Sequence, residues 1–335
     1  MASSITPPNT FEPAGGPGIM SIGARSRGLS ASRIGDGIFK YATLLFALGI
    51  AALVVIIIVS MAQNSTLSVA RFGWSFLTKT NWDPVHEQFG AGAFVYGTVV
   101  SSILALIFAV PVSIGIAVFL VEQAPRRLSY PTSFLVQLLA AIPSVVYGMW
   151  AVFVLAPLLR TYIYPAIQKA FGFLPIFQGP ANGLGLMTAG LILAIMIVPI
   201  VTAVSTDVLR AVSNSLREAA YAMGATKWEV TKVVLGAARS GISGAVILGL
   251  GRAIGETMAV TMVIGNRPEI SEKLFGPSYT ISAAIANEFT EATSELYRHS
   301  LVELGLILFL ITFVINMLAR LLVWTVTRGE GRSHH

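Results

Sequence analysis

The sequence predicts an all-α polytopic membrane protein with six transmembrane helices, and three observations carry that expectation. Apolar residues make up 55 % of the 335-residue chain and charged residues only 11 %, where a soluble globular chain carries about 25 % charged residues. Mean hydropathy is +0.76. The apolar residues also gather into six runs of about 20 residues, the length a helix needs to cross a hydrocarbon core of about 30 Å. Cysteine is absent, which excludes disulfides, thiolate metal sites and a cysteine nucleophile. The formal charge of +6 needs no nucleic acid as partner, because basic loops beside anionic lipid account for it.

Residues 1–37 are rich in Gly, Pro, Ser and Ala and carry Arg25, Arg27 and Arg33. Too little apolar surface is present there to fold alone, so a flexible cytoplasmic tail is expected. The first transmembrane helix, 38–62, is too long and too late for a cleaved signal peptide. An external loop at 63–90 follows, with Trp74, Trp82, Asp83, Pro84 and a Phe89-Gly90 pair expected to be flexible. The second span, about 94–120, contains Pro111 and is followed at once by Arg126 and Arg127.

A third span is expected at 133–158, with Pro143 and Pro157 near its ends, and a semi-polar excursion at 159–182 reads as a re-entrant or a surface helix. The fourth span, 184–204, contains Pro199. A polar hairpin precedes the fifth span, 242–263. Residues 267–300 are acidic, with Glu269, Glu272, Glu288, Glu291 and Glu295. The sixth span is 304–326, with Arg320 near its end, and 327–335 form a cytoplasmic C-terminal tail. With both termini inside, fourteen of the 22 Lys and Arg residues fall on the cytoplasmic side, seven outside, and Arg252 inside a span. That bias follows the positive-inside rule.

The hairpin organises the rest. Ser215-x-x-Glu218 and Thr226-x-x-Glu229 both have capping-box spacing, with Gly224 between them as a helix stop. The reading is helix, tight turn, helix. Glu218-Ala219-Ala220 leaves a low-relief surface beside a carboxylate, and Leu216, Ala220 and Met223 recur at a spacing that can fill a groove on a partner. An interfacial amphipathic helix lying on lipid is the bland alternative.

In the fifth span, Arg252 lies about 15 Å deep by helical rise, near mid-bilayer. Glu256 is one turn later on the same face, so an ion pair is expected. An arginine there costs at least about 2.5 kcal/mol and must face protein or water. Two readings stand: a structural ion pair, or an anion-pathway or gate residue held by its neighbour. Gly251-x-x-x-Gly255 has the small-residue spacing for close helix approach.

Glu218-Ala219-Ala220, then Gly224 and the Val233-Val234-Leu235 run, resemble the EAA loop of bacterial binding-protein-dependent ABC importer permeases. The longer stretches from Glu218 to Val230 and from Gly249 to Asn266, with 89–98, 109–117 and the Glu122 region, are similar to the PstC-type permeases of phosphate importers. The likeness covers the first span and about 89–326.

The resemblance implies a MetI-like type I importer fold, with 91–326 as the transmembrane domain and 211–240 as the coupling loop. It also implies a PstA-like second permease, a PstB-like ATPase dimer using ATP and Mg, and a PstS-like protein delivering inorganic phosphate. Glu218, Ala219, Ala220, Gly224 and Trp228 would meet the ATPase, and Arg252 and Glu256 would line the phosphate path. Where the family usually has a proline after the Val-Val-Leu run, this chain has Gly236, which is expected to end a helix with a looser hinge.

No Gly-x-x-x-x-Gly-Lys-Ser/Thr nucleotide cradle is present, so this subunit is expected to be no enzyme. A sulfate or molybdate importer would keep the same loop. A secondary transporter would need mid-membrane ion-coupling groups, and a membrane enzyme a convergent acid, base or metal cluster. The four histidines, at 86, 299, 334 and 335, form none.

Overall fold

The computed structural model describes residues 26–330; residues 1–25 and 331–335, which hold most of the expected N-terminal tail and the end of the C-terminal one, lie outside them. The described residues are helical, joined by loops with two isolated β-bridges. Among the described residues, six helical stretches are long and apolar enough to cross a membrane: Asp36–Gln63, Gly92–Gln123, Ser144–Phe171, Leu186–Ala211, Lys227–Gly255 and Glu295–Leu321. The expected number of spans is therefore present, although two of them sit at shifted positions.

The chain divides into a unit ending at Ile57 and a second starting at Ile58. The described part of the first belongs to helix α1 (Ser26–Gln63), which begins inside the segment expected to be a flexible tail and whose last residues fall in the second unit. No proline lies between Pro17 and Pro84, so nothing in the backbone stops the helix from extending upstream of its apolar run.

In the second unit, α2 (Thr66–Phe72) and α3 (Ser75–Thr78) precede α4 (Gly92–Val118), which ends in a π-helical turn, Phe119–Gln123. The helix that positions everything else is α9 (Leu186–Ala211). Along α4, Ala93, Gly97, Ser101, Ala105, Ala109, Ser113 and Ala117 are all buried and recur every four residues. Side chains at that spacing share one helix face. None is larger than serine, so the two backbones come close.

Polar contacts fix the register of α4 on α9. Ser113 Oγ donates to the Val198 carbonyl at 3.3 Å, and Thr202 Oγ1 donates to the Ser113 carbonyl at 3.4 Å. A Cβ at Gly190 would lie 2.7 Å from Leu104 Cβ. Low numbers meet low numbers, so the two helices run parallel. Parallel neighbours need one return crossing between them.

That return differs from the expected third span. The segment 133–158 is split at 141–143, where Pro143 biases the preceding residue away from helix. Before the break, α5 (Arg126–Ala140) is a separate amphipathic helix. After it comes one helical run: α6 (Ser144–Trp150), a π-helical turn, α7 (Ala156–Leu158), a second π-helical turn and α8 (Tyr164–Phe171). Residues 159–171 thus belong to the span itself. Tyr164, in their midst, is buried, and its hydroxyl meets Thr188 Oγ1 at 2.6 Å. The loops 124–125 and 212–213 consequently lie on one side, with Arg126, Arg127, Arg210 and Arg217 nearby, which marks that side as cytoplasmic.

The external loop is not flexible at Phe89-Gly90. Phe89 is buried, its ring 4.8 Å from Trp82 and stacked 5.2 Å from Tyr297. A Cβ at Gly90 would strike the Lys79 carbonyl oxygen. Glu288, in the acidic segment 267–300, accepts hydrogen bonds from Trp82 Nε1 at 2.6 Å and from the Tyr297 hydroxyl at 2.7 Å. Nearby, the His86 ring beside Asp83, at 2.6 Å, holds that carboxyl below its ordinary pKa.

Gly97 is the tightest point of the α4 stripe, because an added Cβ would collide with the Tyr279 carbonyl oxygen, a backbone atom that cannot swing away. Gly97→Ala is expected to destabilise the purified protein by about 1–3 kcal/mol, read as a lower thermal unfolding midpoint. Gly251→Ala, where an added Cβ meets nothing within 4 Å, should leave the midpoint unchanged. Equal midpoints for the two variants would contradict the packing described.

Candidate coupling surface and anion pathway

The hairpin is built as two helices around a glycine turn. The first, α10, runs Asn214–Ala222 and the second, α11, runs Lys227–Gly255. The Thr226 capping box is formed: Glu229 N–H donates to Thr226 Oγ1, and Thr226 N–H donates to Glu229 Oε2 at 2.8 Å. The expected box at Ser215 is absent. Ser213 stands at the N-cap without a capping bond from its side chain, and its Oγ pairs with Ser215 Oγ at 3.0 Å instead. Gly224 adopts φ +83°, the left-handed turn conformation glycine takes without strain.

Of the residues expected on the surface, Glu218, Ala219, Gly224 and Trp228 are exposed. Ala220 is not. It is 3 % exposed and packs with Val230, Val234 and Leu209 in a small core beneath the hairpin. Ala220 therefore helps to seat the α10 helix. Tyr221 and Met223 supply apolar surface in its place, Met223 being 84 % exposed. Lys232 Nζ lies 5.3 Å from the centroid of the Trp228 ring. The resulting patch is a low-relief aromatic and methionine surface bordered by Glu218.

One connection was not singled out from the sequence. Arg217 Nη2 donates to Glu122 Oε1 at 2.9 Å and to the Leu209 carbonyl at 2.9 Å, and Nη1 donates to the Val212 carbonyl at 2.6 Å. One guanidinium thus ties α10 to the end of α4 and to the C-terminal carbonyls of α9. Its fork suits that role. The spacing of 95 residues between the two charges left no local signal.

Gly236 ends no helix: α11 passes through it unbroken to Gly255. Propagation costs only about 1 kcal/mol per glycine against alanine, and the polar caps lie far from this position. The fifth span accordingly starts at the hairpin, upstream of the expected 242–263. It runs antiparallel to α9, with Gly241 against Val208 and Gly249 against Val201 and Ile197. These are the glycines of close approach. Gly251 and Gly255, which have the expected motif spacing, meet no atom within 4 Å of an added Cβ.

Val201 and Ile197 flank the middle of α9, so Arg252, one turn beyond Gly249, stands near mid-membrane as expected. The expected ion pair with Glu256 is not made. The helix stops at Gly255, and Glu256, with ψ 130°, leaves the helical path. One turn of spacing no longer puts the two side chains together. Glu256 is 8 % exposed, and its Oε1 accepts from Ala259 N–H at 3.5 Å at the start of α12 (Met258–Val263). Its carbonyl accepts from Ser282 Oγ at 2.9 Å, on α13 (Ile281–Glu288).

Arg252 is exposed and opens into a cavity of about 960 Å³ between α9, α11 and α14 (Glu295–Glu330). The wall is mostly apolar, from Ile200, Ile247, Leu248 and Phe313. An unpaired guanidinium in an apolar groove at this depth can be satisfied by water or an anion. Among the described residues, no group of three or more His, Cys, Asp or Glu side chains is placed to hold a metal ion.

Residues 109–328 match the family model for the binding-protein-dependent transport system inner membrane component. The chain is 50 % identical over 301 residues to the phosphate transport system permease protein PstC of Mesorhizobium japonicum, covering 88 % of this chain and 92 % of that one. It is 48 % identical to PstC of Pasteurella multocida, over 88 % of this chain and 94 % of the other. With PstC of Xylella fastidiosa strain Temecula1 it shares 42 % identity over 99 % of this chain and 100 % of that one. A solved chain of an inward-facing MetNI methionine ABC transporter superposes with a TM-score of 0.44 at 20 % identity, covering 69 % of this chain and 93 % of that chain. With identity of this extent along nearly the whole sequence, the chain belongs to the PstC family of binding-protein-dependent permeases.

Proposed function

We infer that this chain is the permease subunit of an ATP-driven importer that carries inorganic phosphate across the inner membrane. It contributes the path and not the hydrolysis. The observation that carries the mechanistic reading is the unpaired Arg252, at mid-membrane on the wall of a large groove. A binding protein delivers phosphate outside, a second permease supplies the opposite wall of the path, and an ATPase drives the cycle. In the finer reading these partners are PstS-like, PstA-like and a PstB-like dimer that binds ATP and Mg.

Arg252 lowers the barrier for an oxyanion between two low-dielectric walls. At the depth of Arg252 the groove offers it a single cation without a converging cage of donors, which suits passage, because a site must release what it attracts. Glu256 acts differently from a partner that holds the arginine. It stands at the break between α11 and α12, bonded to the start of α12 and to α13. A hinge there lets the outer end of the path move without dragging the long α11 helix. Glu256 is thus the gate element, and Arg252 is the residue the anion meets.

At the other end of α11, Glu218, Ala219, Gly224 and Trp228, with Tyr221 and Met223, meet the ATPase. Ala220 holds the surface in place from below. The capped start of α11 makes hairpin and span one rigid lever, since the same helix continues from Lys227 to within a turn of Glu256. The Arg217–Glu122 pair makes a second link, from α10 to α4.

Two measurements check this reading. In vesicles holding the complete assembly, Arg252→Gln should lower ATP-dependent phosphate uptake about tenfold or more, equivalent to about 1.4 kcal/mol of barrier. ATPase activity and subunit association should be retained. Full uptake would remove Arg252 from the path, and selective uptake of sulfate or molybdate by the unaltered assembly would overturn the cargo. Separately, Arg217→Met should uncouple the assembly, with ATP hydrolysis persisting while uptake per ATP falls. Unchanged uptake per ATP in that variant would reduce the pair to packing.

A further inference from the structure

The cavity that exposes Arg252 holds a second guanidinium, and nothing above assigns it a role. Arg320 lines the same space from α14, together with Thr312 and Asn316. These three recur every four residues, so they form one polar stripe on a single helix face, about 12 Å from end to end. The residues beside them in the groove, Phe309, Phe313 and Met317, are apolar. Arg320 is exposed and makes no hydrogen bond or ion pair among the described residues.

Depth separates the two cations. Arg252 stands near the middle of the membrane, while Arg320 lies 25 residues beyond the start of α14 at Glu295, roughly 38 Å by helical rise. Arg320 is the next-to-last residue of the Glu295–Leu321 span, which puts it at the cytoplasmic mouth of the groove. A lone arginine at a span end ordinarily snorkels into the interface. Here it shares a cavity with an unpaired cation deeper in the same groove, and the stripe between them is polar.

We propose that Arg320 is the second anion-contacting residue of the path, drawing an oxyanion inward from Arg252 and releasing it to the cytoplasm. Two separated single cations do what one strong site cannot. Each is weak enough to let go, and the second makes the step away from the first favourable in direction. The proposal rests on the reading of the groove as the phosphate path. The shared chemistry, a phosphate oxyanion at a guanidinium, could also come from a lipid headgroup of the inner leaflet, so the test separates the two sources.

The chain contains no cysteine, so Arg320→Cys introduces its only thiol. In the complete assembly, this variant should lose uptake about tenfold. Reaction with a cationic methanethiosulfonate should restore most of it, whereas neutral and anionic reagents of similar size should not, the unaltered assembly being treated in parallel. A packing role would follow adduct size and not sign, so equal rates for all three adducts would overturn the proposal. The same order of rates is expected in vesicles of digalactosyldiacylglycerol, whose headgroup has no phosphate. An order seen only in phosphatidylglycerol vesicles would assign Arg320 to lipid and overturn the proposal.

If the cysteine variant does not assemble, Arg320→Lys and Arg320→Gln carry the test: lysine should keep uptake and glutamine should not, and equal uptake by both overturns it. Indifference at 320 with loss at Arg252 sinks this inference alone. Indifference at both removes the groove from the path.

Discussion

The close parallel packing of α4 on α9 is the constraint on which the rest of the structure depends. A face of alanine, glycine and serine every four residues gives no side-chain volume to separate the two backbones. In a bilayer, where lipid tails are as apolar as leucine, such contact and not hydrophobic burial holds helices together. Parallel neighbours require a return crossing, and that requirement places the basic loops on one side. It also leaves an adjoining face of α9 free for α11. There Gly241 and Gly249 provide the second close approach, and this contact sets the depth of Arg252.

Function follows from where α11 starts and stops. It starts at a capping box on the cytoplasmic surface and stops at Gly255, in the outer half of the membrane. One continuous helix therefore joins the proposed docking surface to the neighbourhood of the break that carries Glu256. Its length is the mechanical argument for coupling. The Arg217 guanidinium gathers the end of α9, the end of α4 and the first hairpin helix at one point, so a push on the hairpin reaches both packed helices at once. Burial of Ala220 beneath the hairpin serves the same purpose, since a loosely seated α10 would absorb the push.

Much of this was legible in the sequence, in proportion to how local the cause is. The six apolar runs, the Thr226 capping box and the Gly224 turn each depend on neighbours within a few residues, and each is present. The small-residue face of α4 was equally local and could have been found by counting every fourth residue from Ala93. What the sequence concealed depends on distant contacts. The start of the 159–182 excursion read as a re-entrant or surface helix because the partners that bury Tyr164, Thr188 and Phe275, lie far along the chain. Phe89-Gly90 looked flexible because the aromatic cluster around it is assembled from both ends of the unit. The Arg252–Glu256 spacing implied a pair only on the premise of an uninterrupted helix, and the break at Gly255 removes that premise. Gly251-x-x-x-Gly255 fits a packing motif by spacing, yet both glycines face open space within this chain.

The central claim is that the groove beside Arg252 is a watery path for an anion. Gly251 lines it, one residue from Arg252, where an added side chain meets no neighbour within 4 Å. The most direct measurement is the labelling of Gly251→Cys in the assembled complex by a water-soluble, membrane-impermeant thiol reagent, with and without phosphate. The account predicts labelling from an aqueous side, slowed by phosphate during turnover. Labelling only by reagents that partition into lipid would show the groove to be filled by hydrocarbon and would contradict it.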